Sequence, residues 1–235
     1  MFDSLLNWET LLEIIIIIPV ALFSISFHES AHGWVAYRLG DPTAKYEGRL
    51  SLNPLKHIEP IGLIMFLVAR FGWAKPVPVN PNYFKNPAKG MLFTAIAGPL
   101  SNLFLAVAAS FLQAVVMIPL YFPVDFFNVA GEFAQNAYTY VLMILSYFVY
   151  INIGLAVFNL LPIHPLDGSR ILSYFLPQKY NAFMFRFGQY FQIAFILILV
   201  LTPYVSNFIG FVQTELASVL FSFWRVIFVP ILSMF

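Results

Sequence analysis

Long apolar segments alternate with short polar ones along the chain. Segments approaching the roughly 20 residues that a helix needs to cross a bilayer cover 10–39, 91–122, 137–161 and 188–213. A weaker candidate, 216–235, carries Arg225 near its middle. The strict alternation of a membrane β-barrel is missing from the sequence. The pattern therefore predicts an all-α polytopic membrane protein with about five transmembrane helices.

The breaks between these segments carry residues that end helices. Gly40 and Pro42 stop the first segment. Residues 43–60 mix charges with turn formers, which predicts short strands or loop at the membrane surface. The apolar run 61–72 is too short to cross unaided and favours a re-entrant or interfacial piece. The prolines of 75–81 exclude a helix interior and a central strand, so an edge or a loop is expected there.

The composition agrees with a membrane protein and excludes several other classes. Of the residues, 60% are hydrophobic and 10% are charged, with a formal net charge of +1. No long basic run suggests nucleic-acid binding. With no cysteine, disulfides and thiolate metal sites are excluded. We expect residues 1–235 to form a single integral-membrane domain in contact with the lipid bilayer.

The distribution of Lys and Arg predicts an orientation. Basic residues concentrate in 38–60, 70–90 and 170–186, whereas 123–136 has none. Because Lys and Arg mark cytoplasmic loops, one topology places all three basic segments in the cytoplasm and the N-terminus outside. It requires that 61–72 does not cross the membrane.

A short motif inside the first apolar segment carries candidate chemistry. His28, Glu29 and His32 form an H-E-x-x-H pattern. Residues four apart lie on nearly the same side of a helix, so two imidazoles can grip one zinc ion while the carboxylate beside them takes a proton from water. The alternative is a helix that merely carries these residues. Ionisable side chains are costly in a bilayer and usually face a functional interior, which favours the zinc site.

Asp167 is the candidate third ligand, since a catalytic zinc usually has three protein ligands and one open position. It lies in a proline-rich loop after the segment that ends near residue 161. That loop could turn back into the protein. The alternative is that the Asp-Gly pair only forms a turn.

Helix length predicts that His28, Asn102 and Asp167 lie at about the same depth in the membrane. His28 lies about 15 Å of helix from Arg38, and Asn102 lies about 18 Å into the segment that starts near Gly90. Asp167 could join them from the same side. We therefore expect a site inside the membrane that opens towards the cytoplasm.

Together these motifs resemble the site-2 proteases, a family of intramembrane zinc metalloproteases. The resemblance extends from His28 to Arg170, and its anchors are His28–His32, Asn53-Pro54 with His57 and Glu59-Pro60-Ile61-Gly62, Gly72–Asn80, Ala97–Asn102 and Asn159–Gly168. It implies one zinc ion per chain, bound by His28, His32 and Asp167. It also implies that Glu29 is the general base.

Two asparagines fall in motifs that line the family's site. The resemblance makes Asn102 and Asn159 candidates for holding the substrate backbone or stabilising an oxyanion. Interhelical hydrogen bonding is the alternative for both. The chain departs from the family's common pattern at Glu59, His164 and Ser169. It also lacks the PDZ and CBS domains of some relatives.

The resemblance implies hydrolysis of peptide bonds within or near transmembrane segments of membrane-protein substrates, in a bacterial inner membrane. An unwound substrate could pair with the segment around Val77 and Val79, or with residues 43–60. The alternative for Val77–Val79 is a surface loop whose lysines meet anionic headgroups. Two other functions remain open: a metal-ion transporter or channel, and a catalytically silent relative that binds membrane helices.

Overall fold

The computed structural model describes residues 8–62, 74–118 and 126–232. Helices dominate these ranges. They are α1 Trp8–Arg38, α2 Thr43–Tyr46, α3 Pro87–Val116, α4 Phe126–Leu160, α5 Asp167–Phe175, α6 Gln178–Leu201 and α7 Tyr204–Leu232. Two short 3-10 turns cover Pro54–Lys56 and Pro81–Tyr83.

Four helices in the described ranges are long and apolar enough to cross a membrane, at Leu11–Arg38, Pro87–Val116, Gly131–Leu160 and Tyr204–Pro230. A fifth apolar stretch, Arg186–Leu199, is shorter. The predicted all-α architecture is therefore confirmed in the described ranges.

The predicted division of the C-terminal third was wrong. Segment 188–213 is not one helix, because α6 ends at Leu201 and α7 begins at Tyr204. Pro203 lies between them, and proline has no N–H to continue a helix. Residues 216–232 of the weaker candidate belong instead to the long helix α7, in which Arg225 is exposed, and 233–235 lie outside the described residues.

Helix α3 lies at the centre of the fold, where it packs against α1, α4, α5 and α7. Small side chains allow this close packing. The buried core joins Ala106 and Ala109 of α3 to Val149 and Ile153 of α4 and to Ala217 of α7. Large apolar side chains on the outer faces of the long helices are exposed, as expected for lipid-facing surfaces.

The connection between α1 and α3 is irregular. The first helix stops at Arg38, and Gly40 follows with φ 110°, a backbone conformation that favours glycine. In 43–62 and 74–81 no strand forms, and only an isolated antiparallel bridge joins Ile58 to Ala74. The strand interpretation of 43–60 was therefore wrong, since prolines and turn formers leave short helical turns. The re-entrant prediction for 61–72 falls almost wholly outside the described residues.

The extended stretch 75–80 is tied to the rest of this connection at both ends. Arg49, which is 6% exposed, donates from Nη2 to the carbonyl oxygens of Lys75 (2.6 Å) and Pro76 (3.1 Å). At the other end, Oδ2 of the fully buried Asp41 accepts a bond of 2.7 Å from the main-chain N–H of Asn80. The position of the stretch is thus fixed by buried charged groups.

Candidate active site

The first helix presents His28 and His32 on one face, as the four-residue spacing requires. Their Nε2 atoms lie 3.0 Å apart. Oδ2 of Asp167, the first residue of α5, lies 3.2 Å from each of them. All three residues are at most 7% exposed. The structure therefore brings together the three side chains predicted to meet, and they form a group that could hold a metal ion.

A hydrogen bond on the far side of each ring fixes which nitrogen points into the site. Nδ1 of His28 lies 2.6 Å from Oδ1 of Asn102, and Nδ1 of His32 lies 2.6 Å from the carbonyl oxygen of Thr94. Both partners are acceptors, so both Nδ1 atoms carry the proton and donate. Each Nε2 is then left with a free lone pair that faces Asp167.

The resulting donor set fits a zinc ion. Two lone-pair nitrogens and a carboxylate oxygen converge with no hydrogen between them, an arrangement that a cation stabilises. A tetrahedral zinc with bonds of about 2.0–2.1 Å holds neighbouring ligand atoms about 3.3 Å apart, close to the spacings of 3.0–3.2 Å found here. Imidazole and carboxylate are also ligand types that catalytic zinc uses.

Two glycines make this convergence possible. A Cβ on Gly98 of α3 would lie 2.4 Å from Nε2 of His32 and 2.5 Å from Cε1 of His28. A Cβ on Gly168 would lie 2.2 Å from the carbonyl oxygen of Leu160. Real Cβ atoms essentially never come within 3.0 Å of such atoms, so none of these three contacts would be tolerated. The first glycine admits the imidazoles against α3, and the second lets Asp167 return to the end of α4.

Glu29 lies beside the two histidines and is held by the extended stretch 75–80. Its Oε2 accepts a hydrogen bond of 2.9 Å from the main-chain N–H of Val77. The side chain is only half-buried and lines the cavity next to the metal group. Its carboxylate thus reaches the space where a water and a substrate would lie.

A cavity of about 120 Å³ adjoins the three ligands. The other residues that line it come from α1, the extended stretch, the end of α4 and the start of α5, and include Glu29, Pro76, Val77, Val79, Asn159 and Arg170. The amide of Asn159 donates to the carbonyl oxygen of Leu155 in its own helix (2.9 Å). Because Asn159 lines the cavity, it lies where a residue that contacts substrate must lie.

Asn102 does not line the cavity where a substrate would bind. It is fully buried and bonds to His28 of α1 and to Asn152 of α4 (2.8 Å). Asn102 therefore makes the interhelical hydrogen bonds that were the alternative to a substrate contact. One of these bonds orients His28.

Charges around the site are set by burial and by close contacts. Burial, together with the positive charge of Arg170, lowers the pKa of His164, so this ring is neutral at pH 7.

Comparison with known proteins agrees with this chemistry. A family model described as Peptidase family M50 matches residues 15–201. "Putative zinc metalloprotease YwhC" of Bacillus subtilis (strain 168) is 42% identical over 182 residues, which cover 77% of this chain and 78% of the relative. "Putative zinc metalloprotease Rip2" of Mycobacterium tuberculosis (strain H37Rv) is 29% identical over 234 residues, covering 91% and 82% of the two chains. "Putative zinc metalloprotease MJ0611" of Methanocaldococcus jannaschii is 30% identical over 173 residues, covering 72% and 74%. No solved structure was found to match.

The chain belongs to Peptidase family M50, the intramembrane zinc metalloproteases of the site-2 type. The resemblance seen in the sequence motifs is thereby confirmed. The chain is a multi-pass membrane protein with bacterial relatives.

Apart from Asn102, the groups that support the ligands were not identified from the sequence. The carbonyl oxygen of Thr94 leaves no signal in a sequence, because every residue carries one. Asn152 did leave a signal, as a polar residue inside an apolar segment. Gly98 lies within the motif Ala97–Asn102, but its contact with the imidazoles depends on how α3 packs against α1 and leaves no signal in the sequence.

Proposed function

We propose that the chain hydrolyses peptide bonds within or near transmembrane segments of membrane-protein substrates, with one zinc ion held by His28, His32 and Asp167. The observation that carries this proposal is the convergence of three buried acceptors beside Glu29. Its support is independent of the family match, since it rests on distances between side chains.

Glu29 is the proposed general base. Bound zinc supplies Lewis acidity that lowers the pKa of water and polarises a carbonyl group. The Glu29 carboxylate accepts the proton of the attacking water and passes it to the nitrogen of the leaving amine. The N–H of Val77 holds one oxygen of this carboxylate, which leaves the other oxygen for proton transfer.

The substrate backbone is proposed to lie extended along Val77–Val79. A helical peptide bond is shielded and its carbonyl is already bonded, so the substrate must unwind before cleavage. Val77 and Val79 both line the cavity, and the stretch is fixed by Arg49 and Asp41. Pro76 and Pro78 lack N–H groups, which restricts pairing to one edge. Asn159 is the proposed polar contact for the substrate main chain.

We infer the location from the charge pattern and the bacterial relatives. The relatives support a bacterial inner membrane, and the positive-inside rule supports an active site that opens towards the cytoplasm. On this proposal a substrate is another membrane protein whose helix enters from the bilayer.

The test compares wild type with Glu29→Gln, purified in detergent. We expect both to retain about one zinc per chain, and only wild type to cleave a model transmembrane peptide. Glu13→Gln is the matched control, since it makes the same change at an exposed site of the same helix. Equal cleavage by Glu29→Gln and wild type would show that Glu29 is not the general base. A wild-type protein without bound zinc would contradict the proposed metal site. Zinc flux across vesicles without cleavage would favour the transporter.

A further inference from the structure

Three buried polar residues join α1, α3 and α4 behind the metal group. Ser24, Asn102 and Asn152 are each 0% exposed. Nδ2 of Asn102 donates to Oδ1 of Asn152 (2.8 Å) and lies 3.4 Å from the carbonyl oxygen of Ser24. Nδ2 of Asn152 in turn donates to Oγ of Ser24 (2.8 Å) and to the carbonyl oxygen of Phe148 (2.8 Å). The cluster thus forms a continuous chain of bonds that ends at His28.

The direction of this chain is fixed at its far end. A backbone carbonyl can only accept, so the carbonyl oxygen of Phe148 must face Nδ2 of Asn152. Oδ1 of Asn152 then points to Asn102 and requires a donor there, which is Nδ2. Oδ1 of Asn102 is left to face His28, whose Nδ1 donates to it.

We infer that Asn152 is a positioning residue for the zinc site, and this inference rests on the proposed function. Asn152 holds the Asn102 amide in the one orientation that keeps the proton of His28 on Nδ1. If the amide turned over, its NH₂ group would face Nδ1, and the His28 proton would move to Nε2, where it blocks the lone pair that binds zinc. Asn152 touches neither ligand nor substrate and acts through Asn102.

A purely structural role makes a different prediction. If Asn152 only joined helices, its removal would lower stability as any α3–α4 hydrogen bond does. The chain offers a matched control for that role. Gln113 of α3 donates to Oγ of Ser146 of α4 (3.1 Å), a bond between the same two helices that has no connection to His28.

The experiment measures zinc affinity by chelator competition on the full chain in detergent. Loss of a group that orients a metal ligand typically weakens binding by about 10- to 100-fold. We expect Asn152→Leu to weaken zinc binding by about tenfold and Gln113→Met to leave it unchanged. Both should lower the melting temperature of the zinc-free protein. In the Asn102→Leu background, Asn152→Leu should add no further loss, because the two residues act in series.

Ser24→Ala provides a second variant that removes a single hydroxyl group. Since Asn152 keeps its bond to Phe148, we expect a loss of only about two- to threefold in zinc affinity. Wild-type affinity in both Asn152→Leu and Ser24→Ala, or an equal loss in Gln113→Met, would overturn the inference. An undiminished effect of Asn152→Leu in the Asn102→Leu background would overturn it too. A wild type without zinc would instead overturn the proposed function.

Discussion

The main-chain N–H of Val77 donates a hydrogen bond of 2.9 Å to Oε2 of Glu29, 48 positions away in the sequence. This bond connects the proposed base on α1 to the stretch proposed to hold the substrate. Proline substitution removes the donor, and it also replaces a buried side chain, so its effect has to be compared with that of a variant that changes only the side chain.

We expect Val77→Pro to lower peptide cleavage about tenfold while zinc content stays at the wild-type value. A hydrogen bond to a charged group contributes about 1.5–3 kcal/mol, and its loss leaves the carboxylate poorly positioned. Val77→Ala is the control because it keeps the N–H and shortens the side chain. Turnover of a transmembrane peptide and bound zinc are measured together. Equal losses of cleavage in the two variants would mean that the Val77 side chain, and not its N–H, supports catalysis.

Gly98→Ala should weaken zinc binding by roughly 10- to 100-fold. The added methyl group would overlap both imidazoles, and overpacking of this kind costs about 1–3 kcal/mol. Gly210→Ala is the control, since among the described residues nothing beyond its own stretch of helix lies within 4 Å of the added Cβ. Chelator competition gives the two affinities. Unchanged zinc binding by Gly98→Ala would show that α3 does not lie against the histidines as described.

Asp167→Ala should abolish stoichiometric zinc after dialysis, because only two nitrogens remain to hold the ion. Ser169→Ala, two residues further along α5, removes a hydroxyl group that donates to the carbonyl oxygen of Leu166 and should keep full zinc. The measurement is metal content by elemental analysis. Full retention in Asp167→Ala would place the third ligand elsewhere.

Arg49→Met should destabilise the connection between α1 and α3 by about 1.5–3 kcal/mol, since it removes a buried charged donor from two carbonyl oxygens. Lys56→Met is the control. Lys56 also donates to a carbonyl oxygen, that of Gly48 (2.9 Å), but from an exposed position, where substitutions usually change stability by less than about 0.5 kcal/mol. Limited proteolysis compares the two. Cleavage of both at the same rate would argue against the role of Arg49 as an anchor.

The sequence predicted the helical class and the meeting of His28, His32 and Asp167 because these follow from local rules. Apolar length predicts a membrane helix, and a spacing of four places two side chains on one face. The predicted segment 188–213 was wrong because two apolar helices meet at Pro203. Their residues form an almost continuous apolar run, so the sequence does not show where one helix ends and the next begins. For 43–60 the sequence left strands and a loop as alternatives, because charged residues and turn formers do not separate the two, and only the strand alternative was wrong.

The contacts around the ligands could not be predicted because they depend on how helices face one another. Asn102 was assigned to the site by motif, but its bond to His28 depends on the rotation of α3 against α1. The bond between Glu29 and Val77 likewise depends on the path of an irregular connection. Such relationships are set by tertiary packing and not by spacing.

The two histidines differ in how their supporting bonds can change over evolution. His32 is oriented by a carbonyl oxygen at position 94, which every amino acid supplies, so no single codon change there removes it. His28 is oriented by the side chain of Asn102, which one substitution can delete. A single substitution at position 102 can therefore change the metal affinity by removing the group that orients His28. No side-chain substitution at position 94 removes the carbonyl oxygen that orients His32.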